Sequence, residues 1–100
     1  MAEFNVTISQ LTAKANELEQ LNAQFDTQIK SLQETEGSLL SMWEGEAKTG
    51  FHNAFNSDMV QLRNFYNAII AYINALRQVI AKYAEAEGKN VEVASTRKYQ

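Results

Sequence analysis

Residues 41–46 read Ser-Met-Trp-Glu-Gly-Glu, and they form the one clear break between two long stretches of regularly spaced apolar residues. Gly45 frees the backbone for a turn, and the two glutamates stand where the start of a helix favours negative charge. The chain of 100 residues has no proline, the residue that most strongly interrupts a helix. The segment therefore predicts a turn that joins two long helices.

The stretch before the turn predicts a helix over about residues 8–40. Thr7 and Gln10 have the spacing of a capping box, in which each side chain accepts a hydrogen bond from the backbone N–H of the other residue. The residues that recur every seven positions are Leu11, Leu18, Phe25, Leu32 and Leu39 at heptad position d, and Ile8, Ala15, Asn22, Ile29 and Glu36 at position a. Asn22 is either a polar residue at a hydrated part of the helix pairing or a buried residue that stabilises one alignment.

The stretch after the turn predicts a second helix over about residues 46–87, with Gly88 and Lys89 as its C-cap. Its position d holds Phe55, Leu62, Ile69, Leu76 and Tyr83, its position a holds His52, Met59, Tyr66, Ile73, Ile80 and Glu87, and a third, flanking column holds Phe51, Phe65, Tyr72, Val79 and Ala86. Residues 88–100 lose this spacing, and we expect them to form a mobile tail.

Two long helices with a short connection predict an all-α fold, an antiparallel helical hairpin that occupies residues 1–100 as a single domain. The third column makes the apolar stripe of the second helix wider than pairing with one helix requires. We expect a second hairpin to cover it, so that two chains dimerise into a four-helix bundle. The predicted interface residues are Phe65, Tyr66, Tyr72, Ile73 and Val79.

The composition excludes several classes of function. The chain has no cysteine and one histidine, which excludes disulfides, thiolate metal sites, cysteine nucleophiles and pairs of histidine ligands. The net charge of −3 argues against nucleic acid as a partner. Arg63 and Arg77 share one line of the second helix and are expected to flank the helix pairing. His52 reads as a partly exposed helix residue. With no glycine-rich phosphate loop and no convergent polar groups, we expect no enzymatic activity, no catalytic residue, no metal and no cofactor.

The conventional targeting signals are missing from the sequence. Its first twenty residues lack the basic start and apolar run of a secretory signal peptide, and no stretch approaches the length of about 18 apolar residues that a membrane span needs. These signals alone predict a cytoplasmic protein.

Two short motifs are not needed for the helix pairing. The only tryptophan, Trp43, is followed two places on by Gly45, a spacing expected by chance about 4% of the time. Trp43 can also be interpreted as a plug for the end of the bundle. Tyr83 and Glu87 are four residues apart and share one helix face, but such a pair arises by chance about four times in ten.

With these motifs at these places, the chain resembles the WXG family of about hundred-residue, ESAT-like proteins that are substrates of type VII secretion. The resemblance covers essentially the whole chain and includes Ala47 and Phe51 after the turn. It implies a hairpin that dimerises head to tail and is exported by a membrane-embedded machine with an ATPase of the FtsK/SpoIIIE type. It also implies a bipartite secretion motif made of Trp43, Gly45, Tyr83 and Glu87, in which the turn of one subunit lies near the Tyr-x-x-x-acid end of its partner.

The leading interpretation is a non-enzymatic homodimer that is cytoplasmic before export and is then secreted without a conventional signal peptide, with roles in virulence or interbacterial competition. The first alternative is an adaptor that escorts a larger toxin substrate to the same machine. A heterodimer with a small paralogue is the second. A cytoplasmic coiled-coil scaffold is the alternative from an unrelated class. Neighbouring genes and the presence of the protein in culture supernatant would distinguish these hypotheses.

Overall fold

The computed structural model describes the backbone of residues 7–98 and the side chains of residues 7–86, and it consists of two long helices joined by a turn. Helix α1 spans Ile8–Met42 and helix α2 spans Ala47–Lys98. Contacts between the helices pair falling residue numbers on α1 with rising numbers on α2, as in Glu36 with His52 and Asp26 with Arg63. The helices are therefore antiparallel, and the predicted extended hairpin is confirmed, with dimensions of 84 × 20 × 16 Å.

The start of α1 confirms the predicted capping box. The Thr7 hydroxyl accepts from the Gln10 backbone N–H at 3.0 Å, and the Gln10 side chain accepts from the Thr7 backbone N–H at 3.0 Å. These bonds satisfy two N–H groups that the first turn of a helix leaves without an internal partner. At the other end, α1 runs two residues beyond the predicted boundary, and the Trp43 N–H donates to the Leu40 carbonyl at 3.3 Å.

Helix α2 begins one residue after its predicted start but continues well past its predicted end. It passes through Gly88 and reaches Lys98, so the predicted C-cap is wrong and residues 88–98 of the predicted tail are helical. A glycine inside a helix costs only about 1 kcal/mol relative to alanine, and no proline follows to enforce a stop. Residues 99 and 100 lie outside the described residues.

The seam between the helices is built from position a of each heptad. The buried side chains of this seam are Ala15, Asn22, Ile29 and Glu36 from α1 and Met59, Ile73 and Ile80 from α2. The side chains at position d are half-buried or exposed. The two helices face each other through their residues at position a, rather than through a line midway between positions a and d. A seam this narrow buries little apolar area, and the hydrophobic stabilisation of one hairpin is correspondingly small.

Candidate functional site

The turn at 43–46 depends on the backbone conformation of one glycine. Gly45 has a φ of +117°, a region that residues with a side chain rarely adopt. A Cβ at Gly45 would meet no atom within 4 Å, so the requirement for glycine comes from the dihedral angle rather than from lack of space. Backbone N–H groups of Lys48 and Thr49 donate to the carbonyls of Gly45 and Glu46 at 3.3 and 3.2 Å, which starts α2 directly after the turn.

The aromatic side chains at the turn end of the hairpin form a short stack. The Trp43 ring lies against Phe51, with ring centroids 5.2 Å apart, and Phe51 stacks on Phe55 at 6.4 Å. Trp43 is half-buried and Phe51 is exposed. The indole is thus packed against the first turns of α2 and keeps part of its surface exposed.

The second predicted motif, at positions 83 and 87, lies far along α2 from the turn, eleven or more residues before the helix ends at Lys98. Tyr83 is exposed, and the side chain of Glu87 lies outside the described residues. Ala47 and Tyr83 belong to one unbroken helix, and their separation of 36 residues (83 minus 47) corresponds to about 54 Å. The hairpin therefore does not bring the two motifs together within one chain.

One side of the hairpin is apolar over most of its length. Phe25 at position d of α1 contacts Phe65 in the third column of α2 edge to face, with ring centroids 5.8 Å apart, so these columns share one side. We call this side the apolar face. Its exposed large side chains are Leu32, Leu39 and Tyr83 at position d, and Leu21, Met42, Phe51, Phe65, Tyr72 and Val79, each one residue before a position a. Among the described side chains, the only other exposed large hydrophobic residues are Val60 and Ile70.

The predicted interface residues separate into two groups. Phe65, Tyr72 and Val79 are exposed on the apolar face. Ile73 is only 4% exposed, and Tyr66 is half-buried, with its carbonyl accepting from Asn22 across the seam. The structure thus places Ile73 and Tyr66 in the intrachain seam rather than on a free surface, because both occupy position a.

A family model described as proteins of 100 residues with WXG matches residues 3–88. The chain belongs to the WXG family. Proteins of this family are small secreted substrates of ESAT-like type VII secretion and are not known as enzymes, and they typically pair with partner proteins and the secretion system. Comparisons with curated proteins and with solved structures give no match.

The side of the WXG hairpin opposite the apolar face carries charged pairs, and we call it the clamped edge. Arg63 forms a salt bridge with Asp26, which also pairs with Lys30 at 3.1 Å. Arg77 reaches Glu19 at 3.2 Å and Asn16 at 3.1 Å. Hydrogen bonds from Arg63 and then Lys30 lower the pKa of Asp26 below its usual value of 3.8. Both arginines lie beside the seam, but the contacts that hold them there are hydrogen bonds from their guanidinium groups to α1, which the sequence did not predict.

Two polar residues of α1 are buried in the seam. Asn22 donates from Nδ2 to the Tyr66 carbonyl at 3.2 Å, and its Oδ1 has no partner among the described atoms. Its burial favours the interpretation as an alignment residue. Glu36 contacts His52, with Oε2 and Nδ1 2.8 Å apart. His52 is half-buried as predicted, but its bond to Glu36 was missed, although both residues stand at position a beside the turn.

Over the described part of the WXG chain, no helix is long and apolar enough to cross a membrane. No three histidine, aspartate or glutamate side chains of residues 7–86 are grouped in a way that could hold a metal ion.

Proposed function

We propose that this WXG protein is a type VII secretion substrate exported as a folded, head-to-tail homodimer. Its signal is bipartite: Trp43-x-Gly45 from one chain and Tyr83-x-x-x-Glu87 from the other. The observation that supports this proposal is the separation of about 54 Å along one continuous helix between its start, directly after the Trp43-x-Gly45 turn, and Tyr83. A rigid helix of this length cannot fold back on itself, so a single recognition site requires two chains.

The apolar face supplies the surface for the second chain. Head-to-tail packing of two such faces covers Phe65, Tyr72 and Val79 of each chain and places each turn beside the segment of the partner's α2 that carries the second motif. At about 25 cal/mol per Å², a few hundred Å² of apolar surface per subunit contributes several kcal/mol to association. The free energy of this apolar burial between chains adds to the small hydrophobic stabilisation that the narrow seam gives each hairpin.

The segment of α2 around Tyr83 suits a recognition role. Residues 81–86 are all exposed, whereas Ile80 is buried. Tyr83 is partly exposed at the margin of the apolar face in the single hairpin, and position 87 follows one helical turn later. We assign these side chains, together with Trp43, to contact with the secretion ATPase of the FtsK/SpoIIIE type.

Cysteine cross-linking tests the dimer directly, because the chain has no native cysteine. Chains carrying Glu44→Cys are mixed with chains carrying Ala86→Cys and are joined with a short thiol-reactive linker. We expect linked pairs of one chain of each kind. A chain carrying both substitutions controls for linkage within one molecule, since its two cysteines lie too far apart for that. Absence of mixed pairs in a sample that is dimeric by light scattering would overturn the head-to-tail arrangement.

Export is tested in the native host with and without its secretion ATPase. Trp43→Ala removes contacts at the turn only, so we expect a folded dimer with lower melting temperature and impaired export. Normal export of this variant would overturn the signal. Purification from the host distinguishes the adaptor and heterodimer alternatives: a larger toxin or a small paralogue would occupy the apolar face in place of a second copy.

A further inference from the structure

Glu36 and His52 form the layer of the seam nearest the WXG turn. Glu36 precedes Trp43 by seven residues, and His52 follows Gly45 by seven, so each lies one heptad from the turn. Both occupy position a, where an apolar pair would serve stability at least as well. The Glu36 side chain is only 6% exposed, and burial of a carboxylate is unfavourable unless hydrogen bonds replace those it made to water. Stability alone therefore does not explain this pair.

Hydrogen bonds hold the His52 ring from both sides. Nδ1 lies 2.8 Å from Oε2 of Glu36, and Nε2 lies 3.1 Å from Nδ2 of Asn56. A carboxylate accepts and an amide NH₂ group donates, so Nδ1–H donates to Glu36 while Nε2 accepts from Asn56. Both ring nitrogens are satisfied, and the bond to Glu36 ties the first turns of α2 to α1.

The residue that precedes His52 is the one on which Trp43 packs. Phe51 lies between Trp43 at 5.2 Å and Phe55 at 6.4 Å, measured between ring centroids. Among the described side chains, the next hydrogen bond between the helices joins Asp26 to Arg63. Asp26 is ten residues, or about 15 Å, further from the turn than Glu36. The Glu36–His52 bond is thus the hydrogen bond between the described parts of the two helices that lies nearest to Phe51 and the turn.

We propose that Glu36 and His52 are positioning residues for the WXG turn. Their hydrogen bond holds Phe51 against Trp43 and keeps the turn in the conformation that the export machinery recognises. The export part of this inference rests on the proposed function, because it requires the turn to belong to the signal. The conformational part does not, and it can be measured on the purified protein.

The test uses the full chain and its single tryptophan, whose fluorescence reports on the turn alone. The double variant Glu36→Leu with His52→Leu replaces the polar layer with an apolar one, a change that is often neutral or stabilising for buried pairs. We expect retained dimerisation and an unchanged or higher melting temperature. We also expect stronger acrylamide quenching of Trp43, and export lower by about tenfold, which corresponds to about 1.4 kcal/mol of recognition free energy.

Asn22→Leu is the matched control. Asn22 is also buried at position a and also bonds across the seam, but it lies 14 residues, or about 21 Å, further from the turn than Glu36. We expect wild-type quenching and wild-type export from this variant. Glu36→Gln keeps an oxygen that can accept from His52, so it should preserve both properties.

Wild-type quenching and export in the leucine pair would overturn the positioning role, and so would an equal defect in Asn22→Leu. If the double leucine variant does not fold, His52→Phe replaces it, because phenylalanine fills similar space without a hydrogen-bond donor. We expect the same stronger quenching and lower export from this variant, and wild-type values of both would overturn the positioning role. Trp43→Ala separates this inference from the proposed function. Normal export of folded Trp43→Ala refutes the signal itself. If Trp43→Ala is impaired in export but the double leucine variant behaves like the wild-type protein, the positioning role alone is refuted.

Discussion

The apolar face and the clamped edge lie on opposite sides of the same seam and differ in their contacts between the helices. On the clamped edge, Arg63 and Arg77 reach across to acidic partners on α1, and these pairs close the side of the hairpin. On the apolar face, Phe65, Tyr72 and Val79 extend into solvent, and only Phe65 contacts an aromatic residue of α1.

The difference shows that alignment and stability have separate sources in this hairpin. Solvent-exposed ion pairs contribute little free energy, about 0–1 kcal/mol each, but they discriminate between alignments because a shifted helix would lose its partners. Apolar burial supplies most of the free energy, and one hairpin leaves much of its apolar surface uncovered. In such a chain, contacts within the hairpin align the two helices, and burial of apolar surface against a partner adds most of the stability.

The largest expected effect comes from the seam that both sides share. Ile73→Asp places an unpaired carboxylate at a 4% exposed position, and we expect a loss of more than about 4 kcal/mol, enough to abolish the folded hairpin. Tyr72→Asp, one residue earlier on the apolar face, should retain helicity. Circular dichroism and thermal melting measure both. A wild-type melting curve for Ile73→Asp would show that position a is not the core.

Two valines with equal exposure compare the sides directly. Val79 lies on the apolar face and Val60 lies off it, and each is 58% exposed. Val79→Asp should dissociate the dimer, because a charge in an apolar interface loses its hydration without gaining a partner. Val60→Asp should leave the dimer intact. Sedimentation velocity at micromolar concentration decides between them, and equal behaviour of the two variants would contradict the assignment of the interface.

A smaller effect is expected on the clamped edge, where pH probes the Asp26 pair. The pKa of Asp26 is lowered by Arg63 first and Lys30 second, so the folded state favours the ionised form. The resulting stabilisation is full above the ordinary pKa of 3.8 and is lost as pH falls through the lower folded pKa. Arg63→Met should raise the pKa of Asp26, measured by NMR titration of the carboxyl carbon. Arg77→Met should not change it, and an equal rise in both variants would exclude a direct effect of Arg63.

The smallest effect on stability is expected at Glu87, which belongs neither to the apolar face nor to the clamped edge. Helix α2 continues for eleven residues past Glu87 to Lys98, so the unfavourable interaction of a carboxylate with a helix C-terminus does not apply there. Glu87→Gln should therefore leave helicity, dimerisation and melting unchanged while strongly reducing export. Glu85→Gln, the same substitution two residues earlier and on another side of the helix, is the control. If the folded Glu87→Gln dimer is exported like wild type, Tyr83 and Glu87 are a chance pattern.

Local features of the fold could be predicted from the sequence because their causes are local. Thr7 and Gln10 form their capping box within one helical turn, and Gly45 is required by a single dihedral angle. Heptad spacing places Ile29 and Ile73 on the inner side of their helices and Tyr72 on the outer side, as the structure has them. The one local prediction that is wrong concerns Gly88, where a propensity penalty of about 1 kcal/mol was too small to end the helix.

Only the tertiary structure decided which columns the seam uses and which side chains meet across it. Periodicity identifies an apolar stripe but not its midline, so the sequence could not show that position a is buried while position d is half-open. The alignment of α1 with α2 appears only in the folded hairpin, and it brings Glu36 to His52 and Arg63 to Asp26. These partners are 16 and 37 residues apart in the chain, and no local preference encodes such a distance.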